Sequence, residues 1–344
     1  MRFPHYFRNF LTKYTTTSFN IYNRHLFSMD EAQDSLLDNC RKILPVMNEN
    51  SHKGLSGRIG VFGGSVEFTG APYYAGISAL RTGADLVYVF SASSAAPVIK
   101  SYSPELMVLP YLDSEDAIEL ISPWLIRLHG ILIGPGLGRD EKTFTVIQNL
   151  ISVLKSNPGQ NGTFRPIVLD ADALFFLSKC PDILKDYPGD VYLTPNVVEF
   201  KNLLKSVLNV DSSENKPPEV YIEELCKEIG VNVTIVLKGK IDMICNTNKI
   251  LQCKSEGSFR RCGGQGDLLS GVLSTFVSWV AIRRSNNLPQ IMDKYTDNML
   301  AGYSACSLTR ACNKAAFQSK GRTMLTTDMI SEFSRVYSLL FYET

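Results

Sequence analysis

The sequence predicts an α/β fold: one mostly parallel sheet with helices on both faces, a three-layer arrangement. Three observations predict it. Short apolar runs at residues 58–62, 86–90, 130–134, 166–170 and 232–238 are nearly continuous rather than alternating, which suits strands buried on both faces. Stretches with apolar residues at helical spacing separate these runs. Glycine, proline and acidic residues gather just after them, and in a parallel sheet that edge, beyond the carboxyl ends of the strands, is where ligands bind.

The elements follow in order. After Asp30, Leu36, Leu37, Cys40, Ile43 and Leu44 keep a helical spacing that Pro45 ends. A glycine turn enters the strand at 58–62, a second turn, Gly63-Gly-Ser65, leaves it, and Gly70-Ala-Pro72 opens a helix through Leu80. The strand at 86–90, a short strand at 106–109, a helical stretch at 114–128 and the strand at 130–134 come next. Asp140 is placed to cap a helix through Lys155, and Asn157-Pro-Gly-Gln-Asn-Gly162 is polar turn chemistry for a surface loop. Strands at 166–170, 190–194 and 232–238 alternate with helices that begin at Asp172, after Asn196 and near Tyr221; residues 241–245 and 250–253 form a hairpin. The apolar segment 268–282 is interrupted by Ser270, Gly271, Ser274 and Ser278 and is too short to span a bilayer, so it predicts a buried helix. Two further helices are expected at 291–310 and 327–340. No composition break divides residues 30–344, which read as one domain.

Composition excludes several classes. Lys plus Arg number 35 against 34 Asp plus Glu, so nothing in the net charge points to nucleic acid or a membrane surface. The eight cysteines form no Cys-x-x-Cys pair, and the four histidines do not cluster with them, a pattern of free thiols rather than a zinc site. Residues 1–29 carry Arg2, Arg8, Lys13 and Arg24 with no acid, and Phe3, Phe7, Phe10, Leu11 and Tyr14 lie near helical spacing. That pattern fits a mitochondrial presequence, with a disordered extension as the alternative and Met29 as a second start for a cytoplasmic form. A homo-oligomer is compatible with the chain.

The chemistry concentrates in Gly257-Ser-Phe-Arg-Arg-Cys-Gly-Gly-Gln-Gly-Asp267, which runs into the buried helix. Glycine amides converging on a helix N-terminus make a phosphate cradle, and Asp267 beside them would take a proton from an attacking hydroxyl. A tight turn with an Asp cap is the competing reading. No P-loop ending and no dinucleotide fingerprint accompanies it. Asn196 and Glu199 lie three residues apart at a helix start, where their oxygens would hold Mg2+ directly or through water, or serve only as caps. Lys238-Gly239 ends a strand, where the lysine reaches a phosphate or points to solvent. Arg260 and Arg261 offer a phosphate clamp, and Gly134-Pro-Gly-Leu-Gly138 allows a flat ligand to approach the backbone. Helix capping accounts for one of Asp170 and Asp172, and neither is given a catalytic part.

Lys53-Gly54, Gly63-Gly-Ser65, Gly70-Ala-Pro72, Gly134-Pro-Gly-Leu-Gly138, Leu169-Asp-Ala-Asp-Ala-Leu174, Leu193-Thr-Pro-Asn196 with Glu199-Phe200, Lys238-Gly239 and Arg260-Arg-Cys-Gly-Gly-Gln-Gly-Asp267 stand in one order over residues 51–279. Together they resemble the ribokinase-like superfamily, and within it the ATP-dependent NAD(P)H-hydrate dehydratases of eukaryotes. The resemblance implies a ribokinase-like three-layer fold and a repair reaction: the S form of hydrated NADH or NADPH returns to the reduced cofactor as ATP becomes ADP and phosphate, with Mg2+. It implies Asp267 as base, with Gly264, Gln265 and Gly266 stabilising the transferring phosphoryl. Gly136, Gly138, Asn196, Val197, Val198, Glu199, Phe200, Lys201, Asn202 and Asp267 would bind the hydrated cofactor. Lys238, Gly239, Lys240, Ile241, Asp242 and Gly257, Ser258, Phe259, Arg260, Arg261, Cys262, Gly263, Gly264, Gln265, Gly266 would bind ATP. Phe259, where many relatives have proline, and the 157–162 loop depart from the pattern. A small-molecule kinase of the same superfamily and a non-catalytic nucleotide-binding protein are the rivals.

Overall fold

A computed structural model describes residues 31–159, 162–210, 218–230, 232–292 and 294–342. The presequence reading for residues 1–29 lies outside them. Nine strands form one sheet: β1 Arg58–Phe62, β2 Leu86–Phe90, β3 Met107–Leu109, β4 Gly130–Ile133, β5 Ile167–Leu169, β6 Val191–Leu193, β7 Val233–Leu237, β8 Asp242–Cys245 and β9 Ile250–Cys253. Their order is β3-β2-β1-β4-β5-β6-β7-β8-β9. The first seven run parallel, and β8 and β9 close the edge as the expected antiparallel hairpin.

Eleven helices flank this sheet among the described residues. On one face lie α1 Glu31–Arg41, α2 Gly70–Thr82, α3 Ala96–Tyr102, α9 Gln265–Ser285, α10 Asp297–Lys320 and α11 Thr326–Phe341. On the other lie α4 Ala117–Leu125, α5 Glu141–Ser156, α6 Asp172–Lys179, α7 Val197–Leu208 and α8 Pro218–Ile229. Successive strand residues serve opposite cores. Val61, Leu132, Val168, Tyr192 and Val236 pack with the first helix set, and their neighbours Phe62, Ile133, Leu169, Leu193 and Leu237 with the second. Two cores explain why the strands carry no polar face in the sequence.

Local signals set several boundaries. The Asp140 carboxylate accepts from the Thr143 N–H at 3.0 Å, so it caps α5 as expected. Thr296 caps α10 at Met299, which moves that helix start from 291 to Asp297; the helix runs on to Lys320. Buried α9 is held close by small residues. A side chain at Gly271 would meet the α2 carbonyl oxygen of Ala75 at 2.0 Å, so only glycine permits this helix crossing. The Ser274 and Ser278 hydroxyls donate to carbonyls four residues back, each at 2.7 Å, which satisfies them without water. Phe276 and Trp279 fill the layer between α9 and its neighbours, where truncation to alanine costs about 3–5 kcal/mol.

Candidate functional site

The sheet positions the chemistry. The chain leaves β1 for α2 on one face and leaves β4 for α5 on the other, so the ends of these neighbouring strands mark the topological switch point. There the Gly64 N–H donates to the Gly136 carbonyl at 3.0 Å, joining the two glycine turns. Asp170, Thr194 and Lys238 follow β5, β6 and β7 directly, so the parallel register carries three distant segments to one edge.

The α9 N-terminus faces that edge. Gly264 caps the helix with φ +91°, and a Cβ there would lie 2.7 Å from the Tyr74 ring. Glycine is therefore required twice over. Among the described residues no protein group accepts from the N–H of Gly264, Gln265 or Gly266, which leaves three donors and the helix dipole for an anion. The Thr326 hydroxyl donates to the Gly263 carbonyl at 2.7 Å, so α11 holds the loop in place.

Asp267 occupies the first turn of α9. Burial pushes its carboxyl up to about 7; the Asp170 charge pushes the same way and the Lys238 ammonium opposes both. A carboxyl balanced near neutral pH suits proton abstraction from a hydroxyl.

Asp170 is 1% exposed and accepts from Lys238 Nζ at 2.9 Å and from the Thr194 hydroxyl at 2.7 Å. Burial alone would lower the Lys238 pKa, but Asp170 and then Glu199 outweigh it and the net shift is upward. The lysine lies against the glycine cradle, since a Cβ at Gly266 would be 3.5 Å from its Nζ. It is thus a half-buried, paired ammonium beside the phosphate cradle, not a solvated hairpin residue. Ala171, between the two aspartates, has φ +49°, an uncommon backbone for a non-glycine residue. That turn puts Asp170 on Lys238 while Asp172 accepts from the Gly138 N–H at 3.0 Å and from Arg139 Nε at 3.1 Å. The pairing of β5, β6 and β7 gives Asp170 its partners, which no capping pattern in the sequence announces.

Asn196 and Glu199 form a full capping box. The Asn196 amide oxygen accepts from the Val198 and Glu199 N–H groups at 2.8 and 3.0 Å, and Glu199 Oε2 accepts from the Asn196 N–H at 2.8 Å. Burial raises the Glu199 pKa, with Lys238 opposing. Among the described residues no group of three His, Cys, Asp or Glu is placed to hold a metal. Oxygens of this kind would suit Mg2+ that arrives with nucleotide phosphates and keeps its waters. They do not fit a resident, protein-caged ion.

A crevice of about 1300 Å³ opens beside this cluster. Its wall brings together Asn196, Val197 and Val198, Lys238 to Asp242, Gly257 to Phe259, Arg261, Cys262, Gln265 and Gly266. Arg310, unnoticed in the sequence, spans the floor. It pairs with Asp242 at 2.5 and 2.7 Å and donates to the Gly239 carbonyl at 2.8 Å.

The comparisons agree with this geometry. The family model for NAD(P)H-hydrate dehydratase matches residues 59–335. The chain belongs to the NAD(P)H-hydrate dehydratase family. It is 46% identical over 319 residues to the rat ATP-dependent (S)-NAD(P)H-hydrate dehydratase, covering 92% of this chain and 89% of the relative. Over 310 residues it is 45% identical to the human enzyme of the same name, covering 90% and 85%. A Bacillus subtilis ADP/ATP-dependent NAD(P)H-hydrate dehydratase, co-crystallised with ATP and Mg2+, shares the fold at TM-score 0.64 and 22% identity, covering 88% of this chain and 97% of that one. A ribokinase-like superfamily protein from Enterococcus faecalis superposes at TM-score 0.68 and 20% identity, with 88% and 94% covered. The expected ribokinase-like three-layer fold is therefore the fold observed.

Within this dehydratase family frame, several expected residues take other places. Phe200 is 4% exposed inside the core beneath α7, because one helical face must be apolar to cover the sheet. Lys201 and Asn202 are exposed and lie outside the crevice wall. Gly136 and Gly138 have φ of +60° and +79°, and the space a Cβ would need is filled by Phe68 and by Ser65 respectively. Their glycine character serves the turn and this packing. The Asp242 carboxylate accepts from Arg310 and from the Gly239 N–H at 2.9 Å, so it shapes the turn at the crevice wall. Arg260 lies outside the wall and donates to the Arg261 carbonyl at 3.2 Å; Arg261 donates to Ser258 at 2.6 Å. Neither arginine forms a preset clamp. Phe259 is 98% exposed at the crevice rim.

Proposed function

We propose that this chain dehydrates the S form of hydrated NADH or NADPH at the expense of ATP. The observation that carries the reading is Asp267, balanced near neutral pH beside three unpaired N–H donors. The hydrate hydroxyl attacks the γ-phosphorus of ATP, its proton passes to the Asp267 carboxylate, and the bond to ADP breaks. Hydroxide is a poor leaving group; the new phosphate ester is a good one. The lone pair of the ring nitrogen expels it, the C–O bond breaks, and loss of a proton from the adjacent carbon restores the dihydronicotinamide. The hydroxyl oxygen leaves in phosphate.

Gly264, Gln265 and Gly266 donate to the transferring phosphoryl, and Lys238 supplies a cation beside them. Glu199, and Asn196 beside it, would hold Mg2+ through water, and the ion would neutralise charge on the nucleotide phosphates. The crevice floor at Gly239 and Arg310 supports the nucleotide. The test is recovery of dihydronicotinamide absorbance from hydrated NADH with ATP and Mg2+. Asp267→Asn should abolish recovery while ATP still binds; near-normal turnover by that variant removes Asp267 from the base role. A kinase would accumulate phosphorylated substrate, and a binding protein would leave ATP intact.

A further inference from the structure

A second cavity, of about 220 Å³, lies at the opposite, amino edge of the sheet. Arg58 opens β1 there, and His129 and Arg165 stand just ahead of β4 and β5. His52, Ser285 and Asn286 add polar groups to the wall, and among the described residues no carboxylate lines it.

Arg165 is the informative member. It is 3% exposed, its Nη2 donates to the Asn157 carbonyl, and its Nε and Nη1 have no partner. Burial lowers its pKa, and no acid opposes that shift; only Tyr187 does. A guanidinium stays charged in proteins, and a buried charge is ordinarily matched by an opposite one. Arg58 adds a second guanidinium, whose Nη2 reaches only the Lys53 carbonyl at 3.5 Å. The nearby acid, Asp85, lies outside the wall and accepts from the Gly54 and Ser56 N–H groups at 2.8 and 2.9 Å. His129 is held down to about 4 by burial and then by Arg58, so it is neutral. Its Nδ1 accepts from the Arg58 N–H at 3.0 Å, which leaves the ring proton on Nε2 as a donor. The C-terminal carbonyls of α9 disfavour an anion, but that field is partial and confined to one turn, whereas the two guanidiniums are full charges.

We propose that this cavity binds a phosphate-sized oxyanion at a site separate from the crevice. Arg165 and Arg58 supply the charge and the planar donor pairs that such an anion takes, and the anion supplies the counter-charge that Arg165 lacks. Inorganic phosphate and the phosphate end of an ester share this chemistry.

Equilibrium dialysis of the full chain against labelled inorganic phosphate tests the site, with the crevice saturated by a non-hydrolysable ATP analogue and ionic strength fixed with chloride. Saturable binding of one phosphate per chain is expected, weakened at least about tenfold by Arg165→Met and by Arg58→Gln. If Arg165→Met does not fold, Arg58→Gln decides alone. Absence of saturable binding, or unchanged binding in Arg58→Gln, overturns the site. Competition by glycerol 3-phosphate assigns the site to esters, and failure to compete assigns it to inorganic phosphate. The readout is binding alone, so its failure leaves the proposed reaction standing.

Discussion

Replacing Asp170 by asparagine probes how the site sets its own base. Asp267 rises from 3.8 to about 7, roughly 3 units, which at 1.36 kcal/mol per unit is on the order of 4 kcal/mol against the ionised form. Burial is the largest cause and the Asp170 charge the next. Asparagine keeps the oxygen that accepts from Lys238 and Thr194, so the fold is retained, but it removes the like charge and leaves the ammonium free to favour ionised Asp267. Neighbouring charges move a carboxyl by about 1–3 units. The acid limb of kcat/KM, near pH 7 in the parent, should therefore move down by at least about one unit in Asp170→Asn. The assay is recovery of dihydronicotinamide absorbance across pH 5 to 9, with circular dichroism as a control for folding. An acid limb that stays in place in a folded, active variant refutes the coupling.

Further outcomes follow from the same geometry. Because folded Asp267 keeps its proton to higher pH than the unfolded chain does, its carboxyl costs little below pH 4 and most above pH 7. Asp267→Asn should then raise the melting temperature at pH 8 and not at pH 4, as calorimetry at the two values would show. Arg310→Met leaves the buried Asp242 carboxylate unpaired, which should cost about 3–5 kcal/mol in denaturant titrations and weaken ATP binding through the displaced Gly239 turn. Gly264→Ala forces a side chain onto Tyr74 at a positive φ; it should cost about 1–3 kcal/mol and lower kcat more than it lowers nucleotide affinity.

The sequence carried the framework because framework signals are local. Continuous apolar runs marked the strands, Asp140 marked the start of α5, and the serine and glycine interruptions of α9 marked a helix buried among close neighbours. The Asn196 to Glu199 spacing allowed either oxygen ligands for Mg2+ or a helix cap, and a capping box forms. Illegible features depend on contacts between distant segments. Arg310 meets Asp242 across 68 residues, and Asp170 meets Lys238 because β5, β6 and β7 lie side by side. Phe200 was carried into the site by its neighbours in sequence, while its place on the apolar face of α7 turns it into the core. The bounds of α10, Asp297–Lys320 rather than 291–310, escaped because most of its surface is buried and no polar stripe marks its ends.

The most direct test of the account follows the hydroxyl oxygen itself. Hydrated NADH carrying 18O at the added hydroxyl is incubated with the protein, ATP and Mg2+, and the phosphate is analysed by mass spectrometry. Phosphorylation followed by C–O cleavage predicts one labelled phosphate for each dihydronicotinamide recovered, with Asp267→Asn producing neither. Unlabelled phosphate alongside recovered cofactor, or label retained in a phosphorylated substrate, would contradict it.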